Sequence, residues 1–181
     1  MANTLVQNHF ELFALPEHYR LDRKDLDARY RELQRTAHPD RFASASDQER
    51  RLSVQRAAQI NEAFETLKDP LKRGQYLLAL RGHAIENHQQ THQDPEFLMR
   101  QIELREQLAE VRLQDDPLQV LDTLSRHIRN QYRDLETALG QALDGGADIE
   151  QAVMLALRMQ FFTRLNNEVQ ELEADLEDEL Y

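Results

Sequence analysis

The chain contains no cysteine, so no disulfide framework holds it, and no thiolate is offered to zinc or to an iron-sulfur cluster. Tryptophan is also absent, and glycine and proline occur only five times each in 181 residues. With so few breakers, and with Leu, Ala, Gln, Arg and Glu abundant over β-branched residues, the composition predicts an all-α fold. No apolar run reaches the 18 residues of a membrane span, and Met1 to Phe10 lacks the basic and apolar regions of a signal peptide. A cytoplasmic protein with no membrane partner is expected.

Positive charge is also in deficit. The net charge of -11 argues against nucleic acid as the main partner. The deficit is confined to one half. Residues 1–93 carry 14 Lys+Arg against 13 Asp+Glu, net +1, whereas residues 94–181 carry 8 against 20, net -12. Such an imbalance predicts two modules with different partners.

What is present is helical punctuation. Residues 9–15 (HFELFAL) make a short apolar helix stopped by Pro16, and Asp22 caps a second helix reaching Thr36 or Ala37, before His38 and Pro39. A third helix is predicted from about Gln48 to Leu67, and Asp69-Pro70 opens a fourth that ends near Leu80 or Arg81. The polar stretch 82–93 (GHAIENHQQTHQ) reads as a linker. Asp94-Pro95 and Asp116-Pro117 repeat the cap-plus-proline device, and Asp148 offers a third cap. Three longer helices follow, at about 95–113, 117–143 and 149–176, whose short connections predict a three-helix bundle. The expected organisation is therefore 1–81, a linker over 82–93, and 94–181.

Leading into and through YRELQRTAHPDRF, residues 30–42, helical spacing groups Leu26, Tyr30, Leu33 and Ala37 on a core stripe. Lys24, Arg31 and Arg35 fall on the opposite side, a basic stripe leading to His38-Pro39-Asp40. The proline displays an imidazole and a carboxylate on a stiff turn. A basic helix face is commonly nothing more than a solvated one. Catalysis by His38 and Asp40 is not supported, because groups flanking a proline are poorly aimed at each other, and no nucleophile, phosphate loop or metal cluster accompanies them. His88 and His92 are four residues apart and His83 lies nearby, but without thiols or a third convergent ligand they are read as linker residues. No cofactor or metal is expected.

In the second module, Phe97, Leu104, Leu108 and Val111 form one core stripe. Leu98, Met99 and Ile102 point elsewhere, flanked by Glu103, Glu106 and Glu110. A one-faced helix should be polar there, so this strip is a candidate binding patch with an apolar centre and an acidic rim. Packing against the first module or a second copy is the plainer alternative. Phe161-Phe162 adds to the expected patch, because adjacent residues point about 100° apart and do not both fit one narrow seam.

HPD in this setting, followed by INEAFETLKDPLKRGQYLL (residues 60–78), resembles a J-domain, a helical hairpin with flanking helices. The resemblance implies that His38, Pro39, Asp40, Arg31 and Arg35, with Lys24 and Arg41, bind a DnaK-type chaperone ATPase and stimulate it. Ala37 departs from the pattern, standing where most J-domains carry Tyr. FLMRQIELREQL (residues 97–108), YLLAL (76–80) and the three-helix tail are similar, over essentially the whole chain, to the HscB family of iron-sulfur cluster assembly. That likeness implies an HscA-type ATPase and an IscU-type scaffold protein. It implies that the scaffold is gripped by Leu98, Met99, Ile102, Glu103, Glu106, Glu110 and Phe161. A monomeric, non-enzymatic adaptor is expected; a J-protein for another client, or a bundle dimerising through the strip, are the alternatives.

Overall fold

The computed structural model describes residues 7–37, 46–85, 94–146 and 148–179, which contain helices and turns and no strand. Among these residues no helix is long and apolar enough to cross a membrane. The chain divides into two compact units, Met1–Arg81 and Gly82–Tyr181.

In the first unit, α1 (His9–Leu12) opens with a reciprocal capping box between Asn8 and Glu11. It stops three residues short of the predicted end. Phe13 is its C-cap, and Ala14 turns into the left-handed region at φ 50°, which a residue with a Cβ rarely adopts. Arg29 of α2 (Arg23–Ala37) holds this turn by donating to the carbonyls of Phe13 (3.0 Å) and Ala14 (2.8 Å). Helix α3 (Asp47–Lys68) has its own capping box, Ser46 with Glu49. Asp69 caps α4 (Pro70–Leu80), with Pro70 in the first turn, where a missing N–H costs nothing.

Helices α2 and α3 form an antiparallel hairpin. The guanidinium of Arg23, at the start of α2, donates to the carbonyl of Lys68, at the end of α3 (3.3 Å). Midway, the Tyr30 ring stacks on Phe64 at 4.0 Å, and the Tyr30 hydroxyl donates to Asn61 (2.9 Å). Leu26, Ile60, Ala63 and Leu67 fill the seam, and Phe10, Phe13, Leu77 and Leu78 close it from α1 and α4. Of the predicted stripe, Leu26 and Ala37 are buried and Tyr30 and Leu33 half-buried.

The second unit comprises α5 (Pro95–Glu110), a 3-10 turn (Val111–Leu113), α6 (Pro117–Asp144) and α7 (Ile149–Asp178). Asp94, Asp116 and Asp148 each accept a backbone N–H from the first turn of the helix that follows. Ion pairs Asp94–Arg158, Arg105–Glu168 and Arg112–Asp175 advance in the same direction along both chains, so α5 runs parallel to α7. Helix α6 packs on α7, joined to it by a short turn. One core cluster comprises Leu104, Leu108, Val111, Leu121, Leu124, Ile128, Phe161, Phe162, Leu165, Val169 and Leu176, with Phe97 packed against it.

Phe161 and Phe162 correct the sequence reading. Both are buried, 8% and 3% exposed, so Phe161 does not extend an exposed strip. A helix flanked by two neighbours hides a wide arc, and adjacent residues 100° apart can face one neighbour each. Phe161 meets Phe97 of α5 edge-on at 5.6 Å, and Phe162, 6.4 Å from the same ring, also lines a hollow with Ile128 and Tyr132 of α6.

Candidate functional site

On α2 the basic residues divide by face. Lys24, Arg31 and Arg35 are exposed and share one side of the helix. Arg23 and Arg29 are engaged within the fold: Arg23 lies over the Phe64 ring of α3 and pairs with Asp27 at 3.0 Å, and Arg29 pairs with Asp25 at 2.9 Å and reaches the turn after α1. Arg35 is also bonded to Glu32 at 2.8 Å, which holds its pKa above the ordinary arginine value. Because both groups are solvated, that pair contributes little to stability and leaves the cation accessible to a partner. Ala37, the last residue of α2, is buried, so the helix is anchored to its end. His38, Pro39, Asp40 and Arg41 lie outside the described residues.

Helix α5 carries the second candidate. Leu98, Met99 and Ile102 are 39%, 58% and 43% exposed, although Leu104, Leu108 and Val111 on the other side of the helix are buried. Glu103, Glu106 and Glu110 are exposed beside them. Glu103 receives a hydrogen bond from Arg100 (3.2 Å), and Arg100 reaches His127 of α6 at 2.6 Å. The rim is thus mostly uncompensated negative charge around an adaptable apolar centre, suited to a partner with an apolar anchor and basic surroundings.

Two features escaped the sequence reading. Leu113, in the 3-10 turn after α5, is 82% exposed, a large apolar side chain in water that the sequence reading did not single out. The Asp94–Arg158 pair joins residues 64 apart, for which the local pattern holds no signal.

Among the described residues no group of three or more His, Cys, Asp or Glu side chains could hold a metal ion. The arrangement offers two exposed, chemically distinct surfaces, a basic helix face and an apolar strip with an acidic edge.

Comparison with known proteins identifies the family. Residues 8–76 match the DnaJ domain family, and residues 93–170 match the HSCB C-terminal oligomerisation domain. The co-chaperone protein HscB homolog of Vibrio atlanticus is 43% identical over 166 residues, 92% of this chain and 96% of that protein. The chain belongs to the HscB family of J-domain co-chaperones. The chaperone HscB structure from Vibrio cholerae superposes with a TM-score of 0.84 at 41% identity, covering 94% of this chain and 99% of that one. Human co-chaperone HscB gives 0.87 at 26% identity over 96% of this chain and 85% of that one. HscB proteins are regulators rather than enzymes and serve iron-sulfur cluster assembly. Their J-domain implies a DnaK-type chaperone as partner.

Proposed function

We propose that this HscB-family chain acts in the cytoplasm as a monomeric adaptor that delivers an IscU-type scaffold protein to an HscA-type ATPase and stimulates ATP hydrolysis there. His38, Pro39, Asp40 and Arg41, with Lys24, Arg31 and Arg35, engage the ATPase. Leu98, Met99, Ile102, Glu103, Glu106 and Glu110 on α5 receive the scaffold. The domain plan is 1–81 for the ATPase, 82–93 as connector and 94–181 for the scaffold.

The observation that carries this reading is the strip on α5. Three large apolar side chains stay in water although the same helix has a filled core face. Self-association through the strip is disfavoured by charge, because it would set the glutamates of one copy against those of another. The adaptor supplies no reacting group. Each tenfold acceleration requires about 1.4 kcal/mol less barrier on the ATPase, which stabilising its hydrolysis-competent conformation provides.

The test is an ATPase assay with HscA-type and general DnaK-type chaperones, with and without the scaffold. The wild-type chain should stimulate the HscA-type enzyme, and the scaffold should enhance that effect. His38→Gln should keep the helical spectrum and lose stimulation. Normal stimulation by the folded variant would refute the ATPase assignment, and indifference to the scaffold would refute the delivery role. Sedimentation at micromolar concentration should give a monomer.

A further inference from the structure

We propose that Arg158 of α7 is a positioning residue that holds the first turn of α5 in place and thereby presents Leu98 and Met99. The proposal deepens the scaffold-docking reading above and rests on it. The first turn of a helix lacks intrahelical acceptors for its N–H groups, so it is the part most ready to fray. In α5 that turn leads directly into the exposed end of the strip.

Three hydrogen bonds and one ring contact converge there. One carboxylate oxygen of Asp94 accepts the Phe97 N–H at 3.0 Å, and the Asp94 carbonyl accepts the Leu98 N–H at 3.0 Å. The other carboxylate oxygen accepts a hydrogen bond from the Arg158 guanidinium. That guanidinium also lies over the Phe97 ring, 5.2 Å from its centroid. One side chain from another helix therefore clamps both the cap and the third residue of α5. The Asp94 side chain is 17% exposed and that of Arg158 38%, so only the carboxylate side of the pair is covered, and its effect is on position more than on stability. The Phe97 N–H, followed by Arg158, holds the Asp94 carboxyl below its ordinary pKa, as the same geometry requires. Further along α5, buried Leu104 and Leu108 anchor the helix, so its middle does not depend on the clamp.

Amide hydrogen exchange on the full-length chain, together with calorimetric titration of an IscU-type scaffold, tests the role. Arg158→Leu should raise exchange at Phe97, Leu98 and Met99 while leaving α6 and the middle of α7 protected. It should weaken scaffold binding about fivefold, the loss that follows when the competent turn is ordered about one fifth of the time. Arg158→Lys, which keeps the charge beside Asp94, should recover most of both. With Leu98 and Met99 already replaced by alanine, Arg158→Leu should cost no further affinity. Unchanged exchange in the first turn overturns the proposal. So does exchange that rises equally throughout the bundle, which would mark a general structural role, or an affinity loss that persists in the double-alanine background. If the wild-type chain fails to bind the scaffold, the docking reading falls, and with it the claim that Arg158 presents a binding surface, even where exchange shows an ordered turn.

Discussion

Replacing Leu98, Met99 and Ile102 together with alanine isolates the contribution of the strip. Full burial of such a side chain contributes about 1.5–3 kcal/mol. Because the three are 39–58% exposed, roughly half of that remains for a partner, about 1 kcal/mol each, of which an alanine methyl keeps about a third. The triple variant should therefore lose about 2 kcal/mol of binding free energy, a dissociation constant about 30-fold weaker. No core cavity is created, so the stability of the bundle should change far less than in a core truncation, which costs about 2–5 kcal/mol. Calorimetric titration against an IscU-type scaffold reads the first quantity, and urea unfolding followed by circular dichroism reads the second. A binding change within twofold in a folded triple variant would refute the argument that this strip is the docking surface. A collapse in stability would show that the side chains support the bundle itself.

Phe161→Ala should behave in the opposite way, destabilising the C-terminal unit by about 3–5 kcal/mol, because it empties a buried aromatic site; a wild-type urea midpoint would contradict its placement in the core. Arg29→Ala should cost the N-terminal unit about 1–2 kcal/mol, after allowance for partial exposure, since the carbonyls of Phe13 and Ala14 lose a charged donor; an unchanged unfolding midpoint would count against that clamp. His9 stacks on Tyr76 at 4.2 Å, and burial lowers its pKa, with Glu62 opposing. The fold therefore favours the neutral ring. Its stabilisation is complete above the unfolded value of about 6.5 and is lost as pH falls through that value toward the lower folded one. His9→Phe should flatten the stability profile of the N-terminal unit between pH 7 and 5, and an unaltered slope would exclude His9 as its source.

Much of the fold was legible because its signals are local. Asp-Pro pairs at 69–70, 94–95 and 116–117 mark helix starts through the geometry of one turn, and those helices begin where the pairs lie. The exposed strip was legible for a related reason: on a helix, direction follows position, so Leu98, Met99 and Ile102 had to leave the face that Leu104 and Leu108 occupy. The end of α1 was less legible. Its last turn is bent by the Arg29 guanidinium, fifteen or sixteen residues away.

By itself, the sequence determined the helices, their caps, the charge division between the two halves and the separation of polar from apolar faces, all consequences of neighbours within a turn or two. Only the tertiary structure decided that Phe161 and Phe162 are both buried, that Arg23 is turned toward α3 and Arg29 toward the turn after α1, and that Arg158 grips the start of α5. Those outcomes depend on how many neighbours a helix has and which residues of distant segments come opposite one another. Helical periodicity describes a single helix and carries no information about its neighbours.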